Sequence, residues 1–341
     1  MSNPVLVEVL RGGLTESRHR GAVAVTDAAG ASVFAVGDIA RPVLPRSAVK
    51  PLQALPLVES GAADRYGFGD DELALACASH SGEPGHVEVV TRMLDRAGLD
   101  ACALACGVHW PSSQSAAFAL ARTGAPSALH NNCSGKHAGF LCTARAAGFD
   151  TAGYWQPAHP VQQNVRRVLE DLTGVALPDD RRAIDGCSVP TWAVPLKDHA
   201  GAIARFATGE GLAAEQARAA ARLRAACAQR PWHIAGTGRF CTEVMQLLGP
   251  RALVKTGAEG VFCGALPERG LGIAIKCDDG AGRAAEAAMA ALIIRFLPLD
   301  DAQQAALGRL ARPTLRNWNG MDVGALRVTE AIGGAAPPRS R

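Results

Sequence analysis

RALVKTGAEGVFCGALPERGLGIAIKC, residues 251–277, decides how this chain folds. It reads as a strand followed by a hairpin that turns at PERG. The other end of the chain answers it with VLVEVLRG (5–12), then GAVAVTD (21–27) and ASVFAVG (31–37) joined by the turn AAG. NWNGMDVGALRV (317–328) adds a final strand. The middle is helical, with EVVTRMLDRAGL (88–99), QQNVRRVLEDLTG (162–174) and LAAEQARAAARLRAACAQ (212–229) showing the apolar spacing of amphipathic helices. AGRAAEAAMAALIIRFL (281–297) adds a helix between the late strands. The pattern predicts an α/β protein of the α+β kind, with one antiparallel sheet from both chain ends, flanking helices and an inserted helical lobe. The sheet regions are about 1–45 and 250–330 and the helical region about 46–249, in a single unit spanning 1–341. The tail GGAAPPRSR (333–341) is expected to be disordered.

With 341 residues, 48% hydrophobic and 20% charged, the chain has ample material for a large core. A net charge of only +3, with no long basic run, excludes nucleic acid and acidic membrane surfaces as main partners. The N-terminus lacks the charged and apolar regions of a secretory signal, and no apolar stretch approaches the roughly 18 residues of a membrane span. In that setting the ten cysteines read as reduced thiols, and the expected compartment is the cytoplasm.

Thirty of the 35 basic residues are arginine; the five lysines are Lys50, Lys136, Lys197, Lys255 and Lys276. Where a plain positive charge suffices this chain uses arginine, so its lysines are candidates for work that needs a proton to be lost. RSAVK (46–50) sets Ser47 three positions before Lys50, a spacing that places both on one helical face. A neutral Lys50 there would accept the serine proton and make a nucleophile, although the same spacing suits an ordinary helix surface. Lys255, Thr256 and Gly257 spell KTG, read as opening a strand. S-x-x-K on a helix with K-T-G on a late strand are two of the three signatures of serine β-lactamases and penicillin-binding proteins. The third, S-D-N, is absent; CASHSGEPGH (77–86) offers Ser79 and Ser81 instead.

HNNCSGKHAGF (130–140) concentrates Cys133, Lys136 and His137 around Gly135, where a backbone could approach a ligand. Cys133 and Lys136 have the spacing of a metal half-site, and AIDGCSVPTW (183–192) supplies Cys187 beside Asp185. Two thiolates, a nitrogen and a water suit zinc with an open position. Two buried cysteines and a polar helix start would leave the same pattern.

Taken in order, RSAVKPLQ, CASHSGEPGH, NNCSGKHAGF, DGCSVPTWAVPL, KTGAEGVFCGAL and GIAIKCDDGAGRA resemble the class 3, rhizobial-type serine–lysine L-asparaginases of the asparaginase II family. The resemblance runs through nearly the whole chain. It implies a β-lactamase- and glutaminase-like fold, a homodimer, and hydrolysis of L-asparagine to L-aspartate and ammonia. It also implies catalytic Ser–Lys pairs, Ser47 with Lys50 and Ser79 with Lys136, and a Zn2+ ion on Cys133, Lys136 and Cys187. Arg46, His137, Asp185, Lys255 and Gly257 would lie at the substrate. The expected chemistry is acyl transfer from Ser47, with the metal serving to orient. A glutaminase or other serine hydrolase on the same fold, or a silent zinc-binding protein, are the alternatives.

Overall fold

The computed structural model describes residues 2–333, so the expectation for the tail lies, beyond Gly333, outside the described residues. Among these, eight strands form one antiparallel sheet: β1 Val5–Arg11, β2 Leu14–Asp27, β3 Ser32–Val36, β4 Leu253–Thr256, β5 Val261–Leu266, β6 Leu271–Cys277, β7 Thr314–Arg316 and β8 Asp322–Val328. The order across the sheet is β7-β8-β1-β2-β6-β5-β4, with β3 also on β2. Both chain ends meet here as the sequence predicts. The 14-residue β2 joins them, pairing Glu8 with Arg18 along β1 and Ile275 with Val23 along β6.

Burial along β2 changes midway: its first half alternates, whereas Gly21–Thr26 is buried throughout. Helices on both faces explain the change. On β6, a Cβ at Gly272 would overlap the carbonyl of Ala200, so the helix Leu196–Thr208 lies directly on that face. Gly272 pairs with Ala265, so neighbouring Gly264 faces the other way. There a Cβ would stand 2.9 Å from the Met289 sulfur, on the helix Gly282–Phe296. Val23, Val25, Phe262, Ile273 and Ile275 are buried between these layers. Each contributes about 1.5–3 kcal/mol of apolar burial.

KTG closes a strand rather than opening one. Leu253 and Val254 form the ladder with Ala265 and Gly264, and the Gly257 amide donates to the Val261 carbonyl at 2.7 Å to turn the chain. Residues 46–59 become a 3-10 turn, Arg46–Val49, and two short helices, Lys50–Gln53 and Leu55–Glu59, with Pro56 interrupting as expected. The inserted lobe contributes Asp70–Ala76, Pro84–Arg96, Ser134–Ala146, Pro160–Thr173, Ala214–Gln229 and Phe240–Leu248. All ten cysteines are free thiols, and Cys102 is the exposed one. No helix among the described residues is long and apolar enough to cross a membrane.

Candidate active site

The site forms where the end of β4 meets the lobe. Lys50 enters from the start of its helix and is wholly buried. Its Nζ donates to the Ala78 carbonyl at 2.6 Å, to Ser79 Oγ at 2.9 Å and to the Asn132 carbonyl at 3.3 Å. Lys255, 1% exposed, reaches the same hydroxyl from the sheet, with Nζ 2.8 Å from Ser79 Oγ and 2.8 Å from the Thr256 carbonyl. One serine hydroxyl is thus held between two buried amines. Burial, and next the charge of Lys50, depress the pKa of Lys255 to about 7. Near neutrality it can accept a proton, and the Ser79 hydroxyl is positioned to deliver one.

Ser47 sits in the 3-10 turn, half-buried; its carbonyl accepts from the Lys50 amide, but no hydrogen bond joins its hydroxyl to the Lys50 amine, which is taken by Ser79 and two carbonyls. Arg46 holds a left-handed backbone, φ 50°, and its guanidinium is fixed on Asp185 Oδ1 at 2.9 Å from Nε and 2.8 Å from Nη2. Burial would raise the Asp185 carboxyl, but Lys136 and Arg46 hold it below the usual range. Gly257 explains why β4 lies so near this turn. A Cβ there would meet the Pro45 carbonyl oxygen at 2.9 Å and the Ala48 amide at 3.2 Å. Its service is to let strand and turn close.

The third buried lysine stands apart. Lys136, in the first turn of Ser134–Ala146, donates to Cys187 Sγ at 3.1 Å, and it makes no hydrogen bond to Ser79. The expected pairing of Ser79 with Lys136 is therefore replaced by Ser79 with Lys255. Sequence reasoning missed this because the partner comes from a strand 176 residues away. The signal was present in KTG, which had been assigned to substrate contact. Cys133 and Cys187 are hydrogen-bonded to each other; the Cys187 thiol holds Cys133 well below the ordinary thiol range. Burial opposes charge on Lys136, yet Cys187, Cys133 and Asp185 outweigh it and raise its pKa. So Cys133, Lys136 and Cys187 do come together as the sequence implied.

The donor set is one that zinc can use, two sulfurs and an amine, all buried, and binding would require Lys136 to give up the proton that Cys187, Cys133 and Asp185 hold on it. Among the described residues, no three His, Cys, Asp or Glu side chains gather as a metal site. A metal here depends on the lysine nitrogen. His137, by contrast, is fully buried with Nδ1 2.6 Å from the Tyr154 hydroxyl, which also accepts from the Ala105 amide at 2.9 Å. Its position is that of a packing group behind the cluster. Gly135 likewise serves packing: a Cβ would lie 2.4 Å from the Leu75 carbonyl oxygen, so it brings two helices together and not a ligand.

A buried serine bridged by two amines thus lies beside a second, half-buried serine on the Arg46–Val49 turn. The family model for L-asparaginase II matches residues 7–328, and the chain belongs to that family. No curated protein matches the sequence. Similar solved structures include a β-lactamase from Mycobacterium bovis, 16% identical, covering 78% of this chain and 89% of that one, with a TM-score of 0.38. Another is Mglu, 17% identical over 78% of this chain and 64% of its own, TM-score 0.35. Mglu in an L-glutamate binding form is 19% identical over 91% and 63%, TM-score 0.34. This chain therefore spans just under two thirds of Mglu. At such scores the likeness carries no argument, and the fold rests on the sheet and helices described above.

Proposed function

We propose that the protein hydrolyses L-asparagine to L-aspartate and ammonia through an aspartyl ester on Ser47. The observation that carries this reading is the Lys50–Ser79–Lys255 bridge beside the Ser47 turn. Ser47 has a hydroxyl uncommitted to the lysines and more open to solvent than the buried Ser79. Lys50 first passes a proton to Ser79, which passes its own to Lys255, and the amine so freed takes the proton of Ser47 as Ser47 Oγ attacks the side-chain amide carbon. The tetrahedral intermediate collapses with cleavage of the C–N bond, and the returned proton lets nitrogen leave as ammonia. Water then attacks the ester along the same proton path, releasing aspartate and restoring Ser47. Lys255, with a pKa near 7, gives the path its capacity to hold a proton and return it.

Cys133, Lys136 and Cys187 would hold Zn2+, which when bound would fix the two segments that carry its ligands and so orient the site. Lys136 is then a ligand and not a general base. The Asp185 carboxylate, aligned by Arg46, offers a partner for the substrate ammonium group. The resemblance of its motifs to the class 3 asparaginases also implies a homodimer, a state that sedimentation velocity measures directly. The deciding experiment is ammonia release from L-asparagine and L-glutamine by the purified protein, with and without a zinc chelator. Release from asparagine in clear excess is expected; glutamine as the better substrate would move the assignment to a glutaminase, and release from neither would refute it.

A further inference from the structure

The Lys50 amine takes its acceptors from two loops: the Ala78 carbonyl and the Ser79 hydroxyl from one, the Asn132 carbonyl from the other. His80 reaches across between them. It is 1% exposed, and its Nε2 lies 2.9 Å from Ser134 Oγ. Its neighbours settle the tautomer. The Gly82 amide donates to His80 Nδ1 at 3.1 Å, so the ring proton sits on Nε2. Ser134 Oγ donates its own proton to the Leu129 carbonyl at 2.8 Å and therefore accepts from His80. Burial first, then the charges of His86 and Lys50, hold the imidazole well below its usual pKa, so it is neutral. Both ring nitrogens are engaged, and the imidazole has no part in the proton path.

Packing on each side makes this contact rigid. The His80 ring stacks on His86, centroids 4.9 Å apart at 16°, and His86 stacks on Trp232 at 3.9 Å and 9°. The Ser79 amide donates to the Ile234 carbonyl at 2.9 Å, which fixes the backbone of the first loop. In the second loop the Ser134 amide donates to the Asn131 carbonyl at 2.9 Å, and the Cys133 amide to Asn131 Oδ1 at 2.9 Å. Asn131 and Ser134 thereby bracket the Asn132 carbonyl. Gly82, φ 71°, lets the loops close: a Cβ there would come 2.8 Å from the His130 carbonyl oxygen. The hydrogen bond from His80 to Ser134 thus spans two segments that meet again only at the Lys50 amine.

We propose that His80 is a positioning residue, whose hydrogen bond to Ser134 holds the Ser79 hydroxyl and the Asn132 carbonyl together on Lys50. Its effect on turnover rests on the amidohydrolase reading; its effect on the loops does not. The test separates the two ring nitrogens. In His80→Gln the amide nitrogen can stand where Nε2 stands and donate to Ser134. In His80→Asn the oxygen can accept from Gly82, but the side chain is too short to reach Ser134. Ser134→Ala removes the acceptor, leaves the stacked ring in place, and decides the test should a ring variant fail to fold. His80→Asn and Ser134→Ala should each lower kcat for L-asparagine about 10–100-fold, with KM within about twofold. Their double variant should fall less than about threefold below either single one, because both remove the same bond. His80→Gln should keep at least about a third of the wild-type kcat. A second readout needs no turnover: the titration of Lys255, followed by NMR of isotope-labelled lysine in a chain that has five. Loosened loops admit water to the Lys50–Ser79–Lys255 bridge, so the Lys255 pKa should rise from about 7 by at least about 0.5 in His80→Asn and Ser134→Ala, and hold in His80→Gln. Equal losses in His80→Gln and His80→Asn, wild-type turnover in Ser134→Ala, or additive losses in the double variant would overturn the proposal. If the wild type releases no ammonia, the amidohydrolase reading fails on its own. The Lys255 titration then decides His80: a raised value in Ser134→Ala supports it, and an unmoved one overturns it.

Discussion

Replacing Lys255 should change stability and activity through the same titration. In the folded protein Lys255 has a pKa of about 7, against about 10.4 for a lysine in an unfolded chain. Its folded value is depressed, so between those values the unfolded state binds the extra proton and stability rises with pH. Below about pH 7 both states are protonated and the full penalty of the buried charge is present. From pH 7 to pH 9 the native state gains about 2 kcal/mol from this one group, an order-of-magnitude figure from the linkage relation. Lys255→Met removes the titration, so the difference in unfolding free energy between wild type and variant should grow with pH across that window. Denaturant unfolding at pH 6, 7, 8 and 9 under reducing conditions measures it. Lys255→Arg keeps the charge and cannot release a proton, so its kcat should fall about 10²–10⁴-fold and lose the rise in activity near pH 7. Parallel stability curves for wild type and Lys255→Met, together with an unchanged pH profile in Lys255→Arg, would refute the assignment of Lys255 as the proton acceptor.

Three further outcomes follow from the same geometry. Ser47→Ala should lower kcat by about 10⁴-fold and abolish the aspartyl ester detectable by mass spectrometry after acid quench, whereas an ester retained on Ser79 would reassign the nucleophile. Cys187→Ser and Lys136→Gln should each leave less than a tenth of the zinc that wild type retains after dialysis, measured by elemental analysis; full occupancy in both would dismiss the cluster as a metal site. Gly257→Ala should lower kcat at least tenfold with a small change in Tm, because its Cβ pushes the Pro45–Ala48 turn off β4 while leaving the core intact; a large Tm loss at unchanged kcat would contradict this.

The sheet was legible because its evidence is local and repeated: apolar runs at both ends, and turns at AAG and PERG. The site was legible in residue type and less so in pairing. Scarcity of lysine marked all five lysines alike, and three of them, Lys50, Lys136 and Lys255, are buried here. It did not separate these from Lys197, half of whose side chain is exposed beside Asp198, or from Lys276, which holds the Glu259 and Cys277 carbonyls. Which lysine meets Ser79 depends on how the Ser134–Ala146 helix and β4 face the same loop, and no spacing encodes that. His137 and Gly135 were read as ligand contacts because motifs concentrate polar and small residues for packing as well as for chemistry.

The position of the site follows from the topology that positions its lysines. Lys255 belongs to the sheet, while Lys50, Ser79 and the Asn132 carbonyl belong to the lobe inserted between its halves. The Ser79 hydroxyl is therefore a hydrogen-bonded junction between two bodies of structure that the chain builds from distant segments. Such a junction is rigid only if both sides are closely packed, and glycines provide for that: Gly257 seats β4 on the Ser47 turn, and Gly236 seats its own turn on Ser81 and Glu83. Fixed dipoles and amines placed before substrate arrives need no reorganisation during the reaction, which is where preorganised sites gain most of their rate. A buried lysine of depressed pKa is also a stability cost, as the linkage argument shows. The fold tolerates it because that amine hydrogen-bonds to the Ser79 hydroxyl and the Thr256 carbonyl, and the core around it supplies the compensation.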